Sequence, residues 1–288
     1  MNGVLEETNQ LLKKYKIRAN KSLGQNFLID DEVISDIVNG ANIGQNDLVI
    51  EIGPGLGSMT KLLLEKAKKV ICIELYKKMI KILCERFSDK NNLEIINADV
   101  LKVDLNTLIK EEKEKNNIEN VKIVANLPYY ITTPIIMKLI EEKLDIQNIT
   151  VMIQKVVADR LIAIPGKKDA GAITYTVYYY CIGEKIREVP NTSFVPEPEV
   201  TSEVINLNLR KNPAVTVKNE KVFFNIIKSA FMQRRKTLLN ALVNSTVFKN
   251  KEEGTKILNS IGLNENVRAE NLSIEDFAKL TDKFMENL

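Results

Sequence analysis

The sequence contains no histidine. That absence excludes Ser-His-Asp and Cys-His nucleophile pairs, histidine general bases and every histidine-containing zinc or iron site. Cysteine is scarce as well. Cys72, Cys84 and Cys181 form no C-x-x-C pair and are odd in number, so neither a disulfide framework nor a metal site is expected. Cys72 and Cys84 fall in apolar-patterned stretches and are expected to act as small buried hydrophobes, which suits a reducing compartment. No run approaches the ~18 apolar residues of a membrane span. The first residues, MNGVLEETNQLLKKYKIR, lack the apolar centre of a signal peptide, so a cytoplasmic chain with no membrane attachment is expected.

What is present is ordinary globular composition, 44% apolar and 27% charged, over 288 residues. That length suggests about two domains. With 41 Lys+Arg against 38 Asp+Glu the overall balance says little about partners, but the distribution says more. Residues 11–29 carry Lys13, Lys14, Lys16, Arg18 and Lys21 with no acid. Residues 218–251 carry Lys218, Lys221, Lys228, Arg234, Arg235, Lys236, Lys249 and Lys251 against Glu220 alone. Two such blocks suit a surface that tracks phosphates, although each taken alone is better read as a solvated lysine-rich face.

Short, β-branched, near-continuous apolar runs at 48–50, 70–73, 93–96, 121–124 and 149–153 read as buried parallel strands. Helical spacing or composition fills 58–66, 77–87, 104–115 and 132–143. The alternation predicts an open, mostly parallel sheet covered on both faces. After Gly171, AITYTVYYYCIGEKIREV and SEVINLNLR read as strands around a Pro-punctuated loop, with the TYTVYYY stripe on a sheet face or in the core. From about 219 the pattern is helical throughout, which places a domain boundary near 211–217.

The segment VIEIGPGLGSMTKLL runs from a strand through Gly53, Gly55 and Gly57 into a helix. Glycines there let backbone N–H groups approach a ligand at the carboxyl edge of a sheet. Alone the turn is weak evidence. Position 58, where the dinucleotide fingerprint has its third glycine, is serine, which weakens a nicotinamide oxidoreductase reading, as does the missing histidine proton donor. Glu74, which ends the next strand 21 residues after Gly53, is placed to accept from both ribose hydroxyls of a nucleoside cofactor. Asp99, after the third strand, is placed to accept from an adenine amino group.

The fourth strand ends in Asn126-Leu127-Pro128-Tyr129. ANLPYYITTP resembles the N-[LI]-P-Y motif of methyltransferases that modify an exocyclic amino group of a base. KSLGQNFL (21–28), the glycine turn, Glu74, Asp99, FVPEPEV (194–200), FMQRRKTLLNAL (231–242) and RAENLS (268–273) resemble, in order, the small-subunit ribosomal RNA dimethyladenosine transferase (KsgA) family. The resemblance covers nearly the whole chain. It implies a Rossmann-like class I methyltransferase fold, a mostly parallel seven-stranded sheet with helices on both faces and a smaller all-helical C-terminal domain. The methyltransferase domain is expected at 1–213 with its basic arm, and a helical RNA-binding domain at 214–288. The implied cofactor is S-adenosyl-L-methionine. The implied substrate is two adjacent adenosines near the 3′ end of 16S rRNA, in the small subunit or its precursor, and the protein is expected to be a monomer.

By resemblance Asn26 and Leu28 touch the cofactor with Gly53, Gly55, Glu74, Asp99 and Asn126, while Lys21 faces RNA. Asn126 and Leu127 are the expected catalytic acceptors. Tyr129 and Phe194 are the candidates for stacking on the target base, and Arg234, Arg235 and Lys236 for phosphate contact. Each has a plainer alternative: NLPY as a strand exit, KSLGQNFL as a linker before a helix capped by Asp30 or Asp31, and Leu238, Leu239 and Leu242 as core. The sequence departs from the family at Glu199, Thr201 and Glu203, where Lys, Asp and a small residue are expected, which puts a basic RNA contact there in question. An erythromycin-resistance type enzyme acting on large-subunit rRNA shares the fold and chemistry; NLPY and a long QRRKTLLNAL helix favour the small-subunit reading. A non-catalytic assembly factor on the same fold is the remaining alternative, and the intact Glu74, Asp99 and Asn126 speak against it.

Overall fold

A computed structural model describes residues 3–17, 25–233 and 235–287. Two compact units emerge: Met1–Ala158 with Glu184–Leu209, and Asp159–Gly183 with Arg210–Leu288. In chain order the first unit holds α1 (Gly3–Lys14), β1 (Phe27–Leu28), α2 (Asp31–Gly40), β2 (Leu48–Ile52), α3 (Ser58–Lys66), β3 (Lys69–Glu74), α4 (Lys77–Arg86), β4 (Leu93–Asn97), α5 (Leu105–Asn116), β5 (Val121–Asn126), α6 (Thr132–Glu141) and β6 (Asn148–Gln154). After α7 (Lys155–Leu161) and α8 (Ala172–Tyr180) come β7 (Cys181–Val189), β8 (Phe194–Val195) and β9 (Ser202–Leu209). The rest of the second unit is α9 (Glu220–Phe231), α10 (Leu238–Asn244), α11 (Lys251–Ser260) and α12 (Ile274–Met285).

The seven-stranded sheet has the order β4-β3-β2-β5-β6-β9-β7. Pairings among β2 to β6 are parallel, and β9 runs antiparallel to β6. The chain leaves β2 outward through β3 and β4, then returns to place β5 on the other side of β2. That reversal opens a crevice at the carboxyl ends of β2 and β5, where ligands of such sheets bind. β2 and β5 are mostly apolar and buried on both faces because helices cover each side, so their sequences read as near-continuous rather than alternating, with Glu51 and Lys122 as buried interruptions. Asp30, not Asp31, caps α2, accepting from the N–H groups of Glu32 and Val33.

The second unit packs α8 against α9 and α12. TYTVYYY lies in this helix, not in the expected strand. Thr174, Tyr175, Thr176, Val177 and Tyr179 are all buried, so the helix shows no apolar stripe, and packing overrides the strand propensity of its aromatics. Tyr175 and Tyr179, one turn apart, meet Phe277 edge-on at 5.0 Å and Phe223 at 5.4 Å. Buried among them, the Tyr175 hydroxyl donates to the Leu272 carbonyl at 2.6 Å, and burial pushes its pKa up to about 12. The grouping of 159–183 with the C-terminal helices departs from a boundary drawn only at 213/214, because contacts rather than chain order define the unit.

FMQRRKTLLNAL is not one long helix. α9 stops at Phe231, and α10 starts afresh with Thr237 as its N-cap, accepting from the Asn240 N–H. Leu238, Leu239 and Leu242 fill the core of this unit. Cys84 is exposed, contrary to its apolar surroundings in sequence, whereas Cys72 and Cys181 are buried.

Candidate active site

The crevice between β2 and β5 is a cavity lined by four stretches that are distant in sequence: residues 25–28, the turn after β2, the start of α4, and the corner after β5. Phe194 closes one wall. Parallel register sets Ile52 beside Ala125, so Gly53 and Asn126 emerge from adjacent strand ends.

Gly53 has φ +66°, and a Cβ built there meets nothing within 4 Å. The backbone at this point therefore faces open space that a ligand can enter without a side chain in its way. Gly57 serves a different purpose. A Cβ there would come within 2.7 Å of Phe87 and 2.8 Å of Leu83, so this glycine lets α3 and α4 approach closely. Arg86, from the end of α4, donates to the Leu56 carbonyl and ties the turn from behind.

Glu74 ends β3 with its side chain on the cavity wall, only 4% exposed. One carboxylate oxygen accepts from the Tyr76 N–H at 2.8 Å and the other from the Gly55 N–H at 3.3 Å. Burial raises its pKa, and these N–H groups oppose the rise. Asn26 and Leu28 also line the cavity; Leu28 pairs with Phe194 across the β1–β8 ladder. Asp99 does not line it. One oxygen of Asp99 accepts from the Leu101 N–H at 3.0 Å, capping a 3-10 turn at Val100–Lys102.

At the β5 corner Asn126 is half-buried, and the Leu127 N–H donates to the Met152 carbonyl at 3.2 Å. The Pro128 carbonyl accepts from the Ile131 N–H and from Thr132 Oγ1, which fixes a turn directly around Tyr129. Tyr129 lines the cavity half-buried, and Phe194 lines it almost fully buried. Asn126, Leu127, Tyr129 and Phe194 thus share one cavity with Gly53, Gly55 and Glu74. Lys21 and Arg234 lie outside the described residues. Arg235 and Lys236 are exposed in the turn between α9 and α10.

Several groups at or behind the cavity escaped the sequence reading. Tyr76 and Met79 line it from the start of α4, a position signalled only by their following Glu74. Glu51 lies behind the glycine turn, fully buried, accepting from Thr60 Oγ1 at 2.6 Å and from Cys72 Sγ at 3.4 Å. Burial pushes its pKa up to about 7. An acid inside the apolar run VIEIG was the available signal. Glu203 is also fully buried, ion-paired to Lys185 and, at 3.4 Å, to Lys155. Its departure from the family pattern is therefore absorbed internally, whereas Glu199 is exposed.

Residues 16–286 match the family profile described as ribosomal RNA adenine dimethylase. The chain belongs to that family. It is 47% identical over 275 residues to the ribosomal RNA small subunit methyltransferase A of Alkaliphilus metalliredigens, covering 96% of this chain and 95% of the relative. It is equally similar to the protein of that name from Clostridioides difficile, with 96% and 94% covered. Among solved structures, a dimethyladenosine transferase from Plasmodium falciparum superposes with a TM-score of 0.76 at 28% identity, over 90% of this chain and 98% of that one. The 23S rRNA methyltransferase ErmE, at 22% identity and a TM-score of 0.69 over 90% and 100%, shares the fold. The expected family, and the Rossmann-like methyltransferase fold with its helical C-terminal region, are borne out.

Proposed function

We propose that this protein transfers methyl groups from S-adenosyl-L-methionine to the N6 atoms of two adjacent adenosines near the 3′ end of 16S rRNA, giving N6,N6-dimethyladenosine. The observation that carries the proposal is the shared cavity. A turn and acid suited to a nucleoside cofactor open onto the same space as an amide and a carbonyl suited to an amino group. Family membership sets the reaction class.

The open backbone at Gly53 and the preset Glu74 carboxylate fit the cofactor, with Asn26, Leu28 and Gly55 beside them. When bound, it supplies an electrophilic methyl group. Asp99 would contribute only if the adenine end of the ligand passes the described lining. At the other end, the Asn126 side-chain oxygen and the Leu127 carbonyl accept from the adenine amino group. The lone pair of the adenine amino nitrogen is delocalised into the ring, and acceptors that hold the N–H groups of that nitrogen favour its pyramidal, nucleophilic form. Because the nitrogen becomes acidic as it is alkylated, its proton leaves to solvent without a strong base, which suits a chain lacking histidine. Catalysis then rests on orientation and on hydrogen bonds that strengthen as charge develops. Tyr129 and Phe194 flank the base, which must leave its stack to reach the cavity.

Arg235 and Lys236, exposed in a turn of the helical unit, are assigned to RNA phosphates, the contacts that carry most affinity for structured RNA. No helix among the described residues is long and apolar enough to cross a membrane. A cytoplasmic monomer acting on the small subunit or its precursor completes the reading. The test is incubation of unmodified small and, separately, large subunits with the protein and the cofactor, followed by mass mapping of the RNA. Dimethylation of two adjacent adenosines near the 3′ end is expected. Modification confined to large-subunit RNA, or none at all, would refute it.

A further inference from the structure

We propose that Ser202 is a positioning residue for the target base, setting the Tyr129 ring through its hydroxyl. The inference rests on the reading of Tyr129 as a stacking platform. Ser202 opens β9 and is fully buried. Its Oγ lies 2.6 Å from the Tyr129 hydroxyl, a contact between residues 73 apart in sequence.

The location of this contact is informative. The β6–β9 register places Ser202 opposite Gln154, at the carboxyl end of β6, and β6 is the neighbour of β5. The serine is thus carried on sheet backbone held by ladder hydrogen bonds, and the Thr201 carbonyl accepts from the Lys155 N–H at 3.0 Å beside it. Tyr129 stands on a turn instead. Its backbone is fixed by the Pro128 carbonyl bonds, but a tyrosine ring retains two side-chain torsions, and a hydrogen bond at the far end of the ring removes that freedom. Burial raises the Tyr129 pKa, so at neutral pH the pair is a neutral O–H···O contact.

Ser202 also ends the segment that begins at Phe194. Phe194 is fixed at its own end by the ladder to Leu28. One stretch of chain, 194–202, is therefore anchored at both ends. At one end it presents Phe194 to the cavity, and at the other it holds the ring of Tyr129. The separation of the two rings is set by this stretch and not by the NLPY corner alone.

The experiment is a double-mutant cycle on single-turnover methylation of unmodified small subunits, using Ser202→Ala, Tyr129→Phe and the double variant. Cofactor affinity and thermal midpoint serve as controls. Each single change is expected to slow transfer roughly three- to tenfold, the value of one buried neutral hydrogen bond, with cofactor affinity unchanged. The double variant should be no slower than the slower single. Ser202→Thr, which keeps the hydroxyl, should restore the rate; Ser202→Cys, matched in size with a weak donor, replaces Ser202→Ala if alanine lowers the midpoint. Additive losses overturn the proposal, as does a full-rate Ser202→Ala beside a slow Tyr129→Phe. Tyr129→Leu separates the layers. If it leaves the rate intact, the stacking reading fails; if it abolishes transfer while Ser202→Ala runs at the normal rate, stacking stands and the Ser202 role falls.

Discussion

The backbone N–H of Gly55 donates to the Glu74 carboxylate at 3.3 Å, joining the turn after β2 to the end of β3. With Tyr76 N–H on the other oxygen, the carboxylate is oriented before any ligand arrives. Preset acceptors of this kind lose little freedom on binding, which is how a single acid at a strand end can dominate nucleoside recognition.

Glu74→Ala should therefore weaken S-adenosylmethionine binding by about 1.5–3 kcal/mol, the range for a hydrogen bond to a charged group. The raised pKa adds a pH signature. Hydroxyls donate to the ionised carboxylate, so affinity should decline as pH falls through a value above the usual carboxylate range. Calorimetry between pH 8 and 5 checks both statements, with Glu74→Gln giving a flat profile. An unchanged affinity in folded Glu74→Ala protein would remove this residue from the site.

Glu51 makes a stability prediction. Its folded pKa of about 7 exceeds the ordinary value of 4.5, so between these limits the native state binds more protons than the unfolded chain. Stability contributed by this group is then lost as pH rises from 4.5 to 7, by about 3 kcal/mol in total. Glu51→Gln removes the titration. Relative to the native sequence, its denaturant-derived stability should climb by that amount from pH 4.5 to 8, and a pH-independent difference would contradict the assignment.

Neutralising Arg235 and Lys236 together should weaken RNA binding and reduce the slope of log affinity against log salt by roughly 1.4–1.8, at 0.7–0.9 per phosphate contact. Filter binding across a salt series measures it. An unchanged slope would make the pair an ordinary solvated turn.

The strands around the site were legible because parallel strands buried on both faces have no solvent-facing side to impose alternation, so the apolar run at Val121–Asn126 is broken only by the buried Lys122 before it ends at Asn126. The glycine turn, Glu74 and NLPY could be read because each terminates such a strand. What the sequence could not give was their adjacency, which depends on β5 returning beside β2. Tyr175 and Tyr179 misled because a helix buried all round has no polar face to reveal its period. The break before Leu238 was hidden because core residues lie on either side of the turn, Ala230 before it and Leu238, Leu239 and Leu242 after it, with only Thr237 as a cap signal. Ser202 had no local signature at all, since its partner is brought to it by sheet register.

In the proposed reaction Asn126 acts in the transition state, accepting from the adenine amino group beside the Leu127 carbonyl. The direct measurement is single-turnover methyl transfer by Asn126→Ala on unmodified small subunits, with mono- and dimethyladenosine resolved by mass spectrometry and RNA affinity followed by filter binding. A monomethylated nitrogen keeps one N–H, so the two transfers should be affected unequally. Rate should fall roughly 10²- to 10³-fold while RNA affinity holds, as expected for a positioned hydrogen bond made chiefly in the transition state. Near-normal rates for both transfers in folded Asn126→Ala protein would remove Asn126 from the transition state and move the chemistry away from the β5 corner.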